Sequence, residues 1–283
     1  MKKFLETVGL FSLICLSFFY TEKVGTAVKE VDSLMIFIKE KSEEKKVDAI
    51  PAKIEENTII PGMYGLKVDI EESYKKMKRV GSYEESLLVY KKVLPDVSLK
   101  NNYDKYIISG NSKKNAVSFI FIVNENTNLS NIRKILKEKE VKANFFIDGL
   151  WLENNNDLVI ELIKEGHHIG NLSYNNDYSS SYFIWMDTIL KSLMTQKMNY
   201  CYMEQENFEY LKICALNKNY TIMPKYVITT YPTVNLKKNL VSGGIYSFSI
   251  NEYVEKELGT MIQYVQSKGY KILPLGELLN EKE

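Results

Sequence analysis

The segment Ala116 to Val123 (AVSFIFIV) constrains this chain more than any other stretch. It is apolar but for one serine and rich in β-branched and aromatic residues. Such a run reads as a strand buried on both faces, with covering layers on either side of the sheet. The same signature returns at Ala143 to Ile147, and shorter strand patterns follow at His168 to Leu172, Tyr220 to Met223, Ile245 to Ser249 and Lys271 to Leu273. Helical spacing predicts helices over Leu129–Lys139, Asp157–Glu165 (stopped by Gly166), Phe208–Leu216 and Val254–Ser267. Buried strands alternating with amphipathic helices predict an α/β fold with a parallel sheet, open or closed into a barrel.

The N-terminal part is patterned differently. Lys2 and Lys3 precede an apolar run from Val8 to Tyr20, and Lys and Glu follow at once. A basic start and an apolar core make an export signal over residues 1–22. The run is shorter than the roughly 20 residues of a spanning helix. The one small-residue cleavage candidate, Gly25-Thr26-Ala27, lies some way downstream. An uncleaved signal anchor is therefore expected, with the bulk of the chain outside the cell membrane by the positive-inside rule; the alternative is a protein secreted after cleavage. Residues 23–57 are read as a stalk helix and linker, with Val24, Val28, Val31, Leu34, Met35 and Ile38 at helical spacing and Pro51 ending it. The stalk would leave the membrane and self-associate into a homo-oligomer, or the helix would pack on the main domain. Residues 58–111 are expected to form a small mixed α/β segment. It would hold a strand near Thr58–Gly65, a helix over Ile70–Val80 capped by Asp69, a second over Tyr83–Val93 and a strand at Lys105–Ser109.

Charge and histidine content narrow the chemistry. With 37 basic and 36 acidic residues the net charge is +1, which leaves no electrostatic footprint for nucleic acid. There are two histidines, His167 and His168, side by side. Imidazole is the commonest metal ligand and the usual general base near neutral pH, and adjacent residues on a strand point to opposite faces. Of the cysteines, Cys15 lies in the apolar run behind Ile14, where a lipoprotein signal needs a small residue. Cys201 and Cys214 are expected either to pair as a disulfide outside the cell or to remain buried thiols.

Four segments resemble the NodB-type polysaccharide deacetylases. VKANFFIDG at Val141–Gly149 is similar to their VKATFFxxG, and LIKEGHHIGNLSYNN at Leu162–Asn176 to their lixxGHEIGNHTxxH. AVSFIFIVN at Ala116–Asn124 stands where the family has AVxLTFDDG, and KGYKILPLGELL at Lys268–Leu279 is similar to its closing segment. The likeness covers roughly residues 112–280 and implies a distorted (β/α) barrel with its site at the strand C-termini. The family holds a divalent metal with one Asp and two His, and removes acetyl groups from N-acetylated sugars.

Carried over residue by residue, that machinery is replaced. Ile122 stands for the base, Val123 for the metal-binding Asp, Leu172 and Asn176 for the two metal-binding His, and Ser249 for the acid His. The Arg-Pro-Pro-Tyr motif falls near Tyr200–Glu204 and reads YCYME. Aliphatic side chains offer no lone pair to a cation. No cofactor is therefore expected. Asp148, Asp177 and Glu204 remain as carboxylates near the old site, and Asn171, Tyr174, Asn175, Tyr178, Tyr200 and Tyr202 supply the amides and rings with which proteins hold sugars. The expectation is a non-catalytic cell-envelope protein that binds a cell-wall glycan or an envelope protein. The alternatives are a carbohydrate deacetylase or hydrolase with non-standard residues, and a purely structural or assembly protein.

Overall fold

The computed structural model describes residues 32–175, 177–194 and 198–281, with 11, 12 and 17 besides. Its strands are β1 (Lys53–Glu55), β2 (Thr58–Ile60), β3 (Gly65–Val68), β4 (Tyr90–Val93), β5 (Tyr106–Ile107), β6 (Ala116–Val123), β7 (Asn144–Ile147), β8 (His168–Asn171), β9 (Tyr200–Tyr202), β10 (Tyr220–Ile222), β11 (Tyr226–Ile228), β12 (Ile245–Ser249) and β13 (Lys271–Ile272). The chain divides into two compact units, residues 1–49 with 65–93 and residues 50–64 with 94–283.

The larger unit is built on one sheet ordered β1-β2-β5-β10-β9-β8-β7-β6-β12-β11, parallel except for the β1–β2 hairpin. β13 pairs with the start of β6 beside β7. Among the described residues no ladder joins β1 to β11, so the expected barrel is an open, half-barrel sheet. Every residue of β6 is buried, and alternation explains how. Val117, Phe119, Phe121 and Val123 pack outward beneath the helices Ser130–Glu138 and Glu252–Ser267, against Ile132, Leu136, Leu258, Met261 and Ile262. Ala116, Ile120 and Ile122 face the concave side with Phe146, Leu172, Tyr200 and Tyr202. Ser118, the one polar residue of the strand, donates to the Leu273 carbonyl at 2.7 Å and accepts from Asn144 Nδ2 at 2.8 Å, so its burial leaves nothing unpaired.

The chain end closes this unit. Glu281 accepts from the Gly62 N–H at 2.8 Å and from the Leu99 N–H at 2.9 Å. Its carboxylate thereby satisfies two buried donors that no ladder reaches. Burial pushes its pKa up, and the two N–H groups oppose that shift.

In the smaller unit the helix Ser33–Glu44, capped by Asp32, lays Met35 and Ile38 against Val68, Tyr74, Met77 and Leu88. The expected stalk is corrected here: the described part of its apolar stripe is buried on the helix Ile70–Val80 and the β3–β4 hairpin. Asp69 caps Ile70–Val80 as the sequence predicts, and Gly81 ends it at φ 84°. The helix expected over Tyr83–Val93 is instead a short 3-10 turn, Glu85–Leu87, followed by β4. Pairing with β3 and the Ser73 hydroxyl, which accepts from the Val89 N–H at 2.9 Å, outweigh the helical propensity. The boundaries move as well. Residues 65–93 belong with the first helix, whereas 50–64 and 94–111 belong to the sheet unit. The export segment 1–22 lies almost wholly outside the described residues. Among the described residues no helix is long and apolar enough to cross a membrane.

Candidate functional site

The C-terminal ends of β6, β7, β8 and β12 surround one open cavity of about 630 Å³. Its walls are the loop Asn124–Asn128, Asp148, Asn175 and the turn Ile250–Glu252, with Glu255 one helical turn beyond. Each wall is fixed by local hydrogen bonds. The loop after β6 closes through Asn124 N–H to Thr127 Oγ1 and Thr127 N–H to the Asn124 carbonyl, both 2.9 Å. Trp151 Nε1 then donates to the Thr127 carbonyl at 2.9 Å. Asn251 caps the helix Glu252–Ser267 by accepting from the Tyr253 and Val254 N–H groups.

Asp148 ties two walls together. One oxygen accepts from the Leu150 N–H at 2.9 Å, capping the helix Gly149–Asn154, and the other accepts from the Asn175 N–H at 2.7 Å. The side chain is buried, and desolvation pushes its pKa up against those hydrogen bonds. It is a brace for the loop after β8 more than a group offered to a ligand. Asn171 is likewise buried and internal, accepting from the Ser173 N–H at 2.7 Å. Asp177 caps the Ser179 N–H at 2.8 Å, and the Ser173 hydroxyl donates to its carbonyl.

Of the replaced positions, Ile122 and Leu172 lie together on the concave face, 7% and 6% exposed, with Phe146 and Tyr202. Ser249 is the register partner of Ile122 across β12 and is half-buried. Val123 does not join them. It packs on the helix side of the sheet with Leu129 and Ile132, as strand alternation requires of a neighbour of Ile122. Asn176 lies outside the described residues. The two histidines are remote from the cavity, at the opposite end of β8. His167 Nδ1 accepts from the Ala143 N–H at 3.2 Å, and His168 Nδ1 from the Gly276 N–H at 3.3 Å. Burial lowers the pKa of both rings, that of His167 to about 4. Among the described residues no three His, Cys, Asp or Glu side chains are grouped so that they could hold a metal ion. The donors do not fit the family's metal.

The aromatic candidates separate into two groups. Tyr200 and Tyr202 are buried in the concave core, and desolvation raises both phenols well above their ordinary range. Tyr202 shares a 2.7 Å hydrogen bond with Ser247 Oγ, so it is part of the packing and not of a surface. Tyr178 packs edge-on to Tyr210. Glu204 is exposed, 3.4 Å from the Tyr202 hydroxyl. Tyr174, by contrast, stacks on Tyr182 with centroids 4.7 Å apart and meets Trp185 edge-on at 5.5 Å. Gly149 makes room for it, since a Cβ there would lie 2.3 Å from the Tyr174 ring. Tyr182 and Trp185 are 40% and 37% exposed and sit on the helix Ser180–Leu193. Sequence reasoning missed this helix, and with it the ring cluster. It also missed the Asn124–Asn128 loop, Asn251, Glu252 and Glu255, of which only Asn124 falls on a family motif. The asparagines that follow β6 and β12 were the available signal, since strand C-termini carry the site in folds of this kind.

Cys201, on the outer face of β9, is bonded to Cys214 of the helix Phe208–Leu216, with Cα atoms 6.5 Å apart. Of the two expected states the structure has the disulfide.

Residues 109–228 match the polysaccharide deacetylase family. Protein YlxY of Bacillus subtilis (strain 168) is 40% identical over 153 residues, which is 53% of this chain and 48% of that protein. The chain spans about half, or less, of the length of the curated relatives it matches. Among solved structures, the CE4 family pseudoenzyme BA3943 from Bacillus anthracis superimposes with a TM-score of 0.68 at 25% identity, covering 89% of this chain and 96% of that one. A mutant of BA3943 has restored enzymatic activity. Bacillus subtilis PdaA, a family 4 carbohydrate esterase, shares the fold with a TM-score of 0.56 at 19% identity, over 67% of this chain and 93% of that one.

Proposed function

Starting from a chain that carries a polysaccharide deacetylase domain over residues 109–228, we propose that it is a catalytically degenerate member that binds cell-wall glycan without deacetylating it. The observation that carries this reading is the concave face of the sheet. Where metal-assisted amide hydrolysis needs lone pairs converging on one ion, Ile122 and Leu172 present hydrocarbon. Both histidines are spent as acceptors for backbone N–H groups at the far end of β8. The likeness to BA3943, itself a pseudoenzyme, supports the same reading.

Binding has its own support. A cavity of this size lies within the usual range for small-ligand sites. It is lined by amides, and Tyr174, which stacks on Tyr182 and meets Trp185, directly precedes the lining residue Asn175 in the chain. Amides satisfy sugar hydroxyls, and ring faces cover the apolar C–H faces of the pyranose. The protein acts outside the cell membrane, held by the N-terminal apolar segment. The Cys201–Cys214 disulfide supports an oxidising compartment.

Co-sedimentation of the purified chain with insoluble peptidoglycan, run beside an assay for acetate release, tests the reading. It requires saturable binding and no acetate above a protein-free control. Acetate release would return the chain to the active deacetylases, and absence of binding would favour a structural or assembly role.

A further inference from the structure

The helix Ser180–Leu193 carries Tyr182 and Trp185 one turn apart, so the two rings share a face. Both are substantially exposed, and Ile184 between them is half exposed. A contiguous apolar patch of this kind marks an interaction site. The rings are fixed in place. Tyr174, from the loop after β8, stacks on Tyr182 with the ring planes 10° apart and meets Trp185 edge-on. It covers one face of Tyr182, so what Tyr182 exposes is its other face and its rim. Gly149 seats the group, since a Cβ there would lie 2.3 Å from the Tyr174 ring and 3.2 Å from that of Trp185. The Tyr174 hydroxyl is tied as well, donating to Glu153 Oε1 at 3.2 Å. Rings already held from a loop and a helix lose little freedom when a ligand stacks on them.

That last hydrogen bond joins the rings to polar groups. Glu153 lines a shallow pocket of about 350 Å³ together with Asn154, Asn155, Asn156 and Asp157. Asn154 and Asn155 each donate to a helix carbonyl four residues back, which fixes their amides, and Asn156 is exposed. Lys, Arg and His do not line the pocket, so it holds no cation for an anionic ligand. Flat apolar faces bordered by a run of amides suit a ring that is apolar on its C–H face and hydroxylated around its rim. An apolar helix from a protein would use the rings and leave the amides idle.

We propose that the Tyr174–Tyr182–Trp185 platform and the asparagine pocket beside it form a second saccharide subsite, outside the cavity, that holds a further stretch of the glycan strand. Tyr174 and the cavity-lining Asn175 are neighbours in the chain, so one loop serves both subsites. The inference rests on the glycan-binding reading above and adds where on the surface the strand is held.

Tryptophan fluorescence reads this site. The chain has two tryptophans, and the other, Trp151, is buried with its Nε1 bonded to the Thr127 carbonyl. Acrylamide quenching of the full chain therefore reports on Trp185. Sonicated peptidoglycan should protect Trp185 saturably, and an N-acetylglucosamine hexasaccharide should compete for the same protein. Tyr182→Ala should weaken peptidoglycan binding at least about tenfold, while Tyr182→Phe, which keeps the ring, binds as the native chain does. Asn156→Ala, at an exposed position of the pocket, should weaken it about threefold and serves if Tyr182→Ala does not fold. Native binding by both alanine variants, or binding that leaves Trp185 as open to acrylamide as before, would overturn the subsite and leave glycan binding standing. Failure of the hexasaccharide to compete would mean that the rings read the stem peptide, and would overturn the saccharide assignment. No binding of peptidoglycan by the native chain would remove this inference and the reading beneath it.

Discussion

His167 and His168 illustrate how far a residue's identity stands from its role. Both rings use Nδ1 to satisfy a backbone N–H, and His167 lies edge-on to Phe145 at 5.2 Å. Burial lowers the His167 pKa from 6.5 to about 4; Glu165 opposes the shift, while Lys142, Arg133 and His168 add to it. A depressed folded pKa means that the unfolded chain binds the proton first. The ring's contribution to stability is therefore complete above pH 6.5 and is lost as pH falls toward about 4. The slope is at most about 1.4 kcal/mol per pH unit. A His167→Gln variant should lack it, read as the difference between the two proteins' urea midpoints across that window. The buried carboxylates Asp148 and Glu281 titrate with the opposite sign, and they cancel in that difference. Val123 gives a second test. Because its side chain packs among Leu129 and Ile132 on the helix side, Val123→Asp should cost on the order of 3–5 kcal/mol of stability, more than Ile122→Asp, whose side chain on the concave face is 7% exposed. Equal losses would show that the two side chains share a face. The sequence reading of Ile122, Val123 and Leu172 as replacements rests on motif spacing alone. It nonetheless placed Val123 with the other two, although alternation along the predicted strand Ala116–Val123 turns it to the face opposite Ile122.

At the scale of elements, burial made the strands legible and exposure hid the helices. β6 and β7 announce themselves because both faces are covered, so every residue is buried and all but Ser118 and Asn144 are apolar. The helix Ser180–Leu193 buries Phe183, Met186 and Leu190 at helical spacing, but exposed Tyr182, Ile184 and Trp185 fill in the polar face and blur the period. β4 read as a helix because its partner, β3, is remote in sequence. The same remoteness conceals Glu281, which joins the chain end to Gly62 and Leu99. Glu281→Ala would strand two buried N–H donors, so a loss of about 2–4 kcal/mol is expected, against a smaller loss for Glu281→Gln, which keeps an acceptor. Reducing the Cys201–Cys214 disulfide, which spans 13 residues, should remove about 3 kcal/mol and lower the thermal midpoint. An unchanged midpoint under reductant would mean that the bond adds nothing to this helix–strand contact.

At the scale of the whole molecule the larger unit shares its fold with the polysaccharide deacetylases. The half-barrel sheet is shared with those structures, and here the cavity at the strand C-termini is bounded by the brace from Asp148 to the loop after β8. On the reading proposed above, the hydrocarbon of Ile122 and Leu172 on the concave face stands where metal ligands would be, and amides and carboxylates line the cavity. Motif comparison found the first change, since it concerns residues at fixed spacing. The second lies in loops between the motifs and became visible only when the fold brought them together. Loss of the metal centre is the claim on which the rest depends. Purified protein loaded with zinc, dialysed and analysed for bound metal beside acetate release from N-acetylglucosamine oligomers tests it directly. The account predicts well under one zinc per chain and no acetate. One tightly held zinc per chain together with acetate release would contradict it.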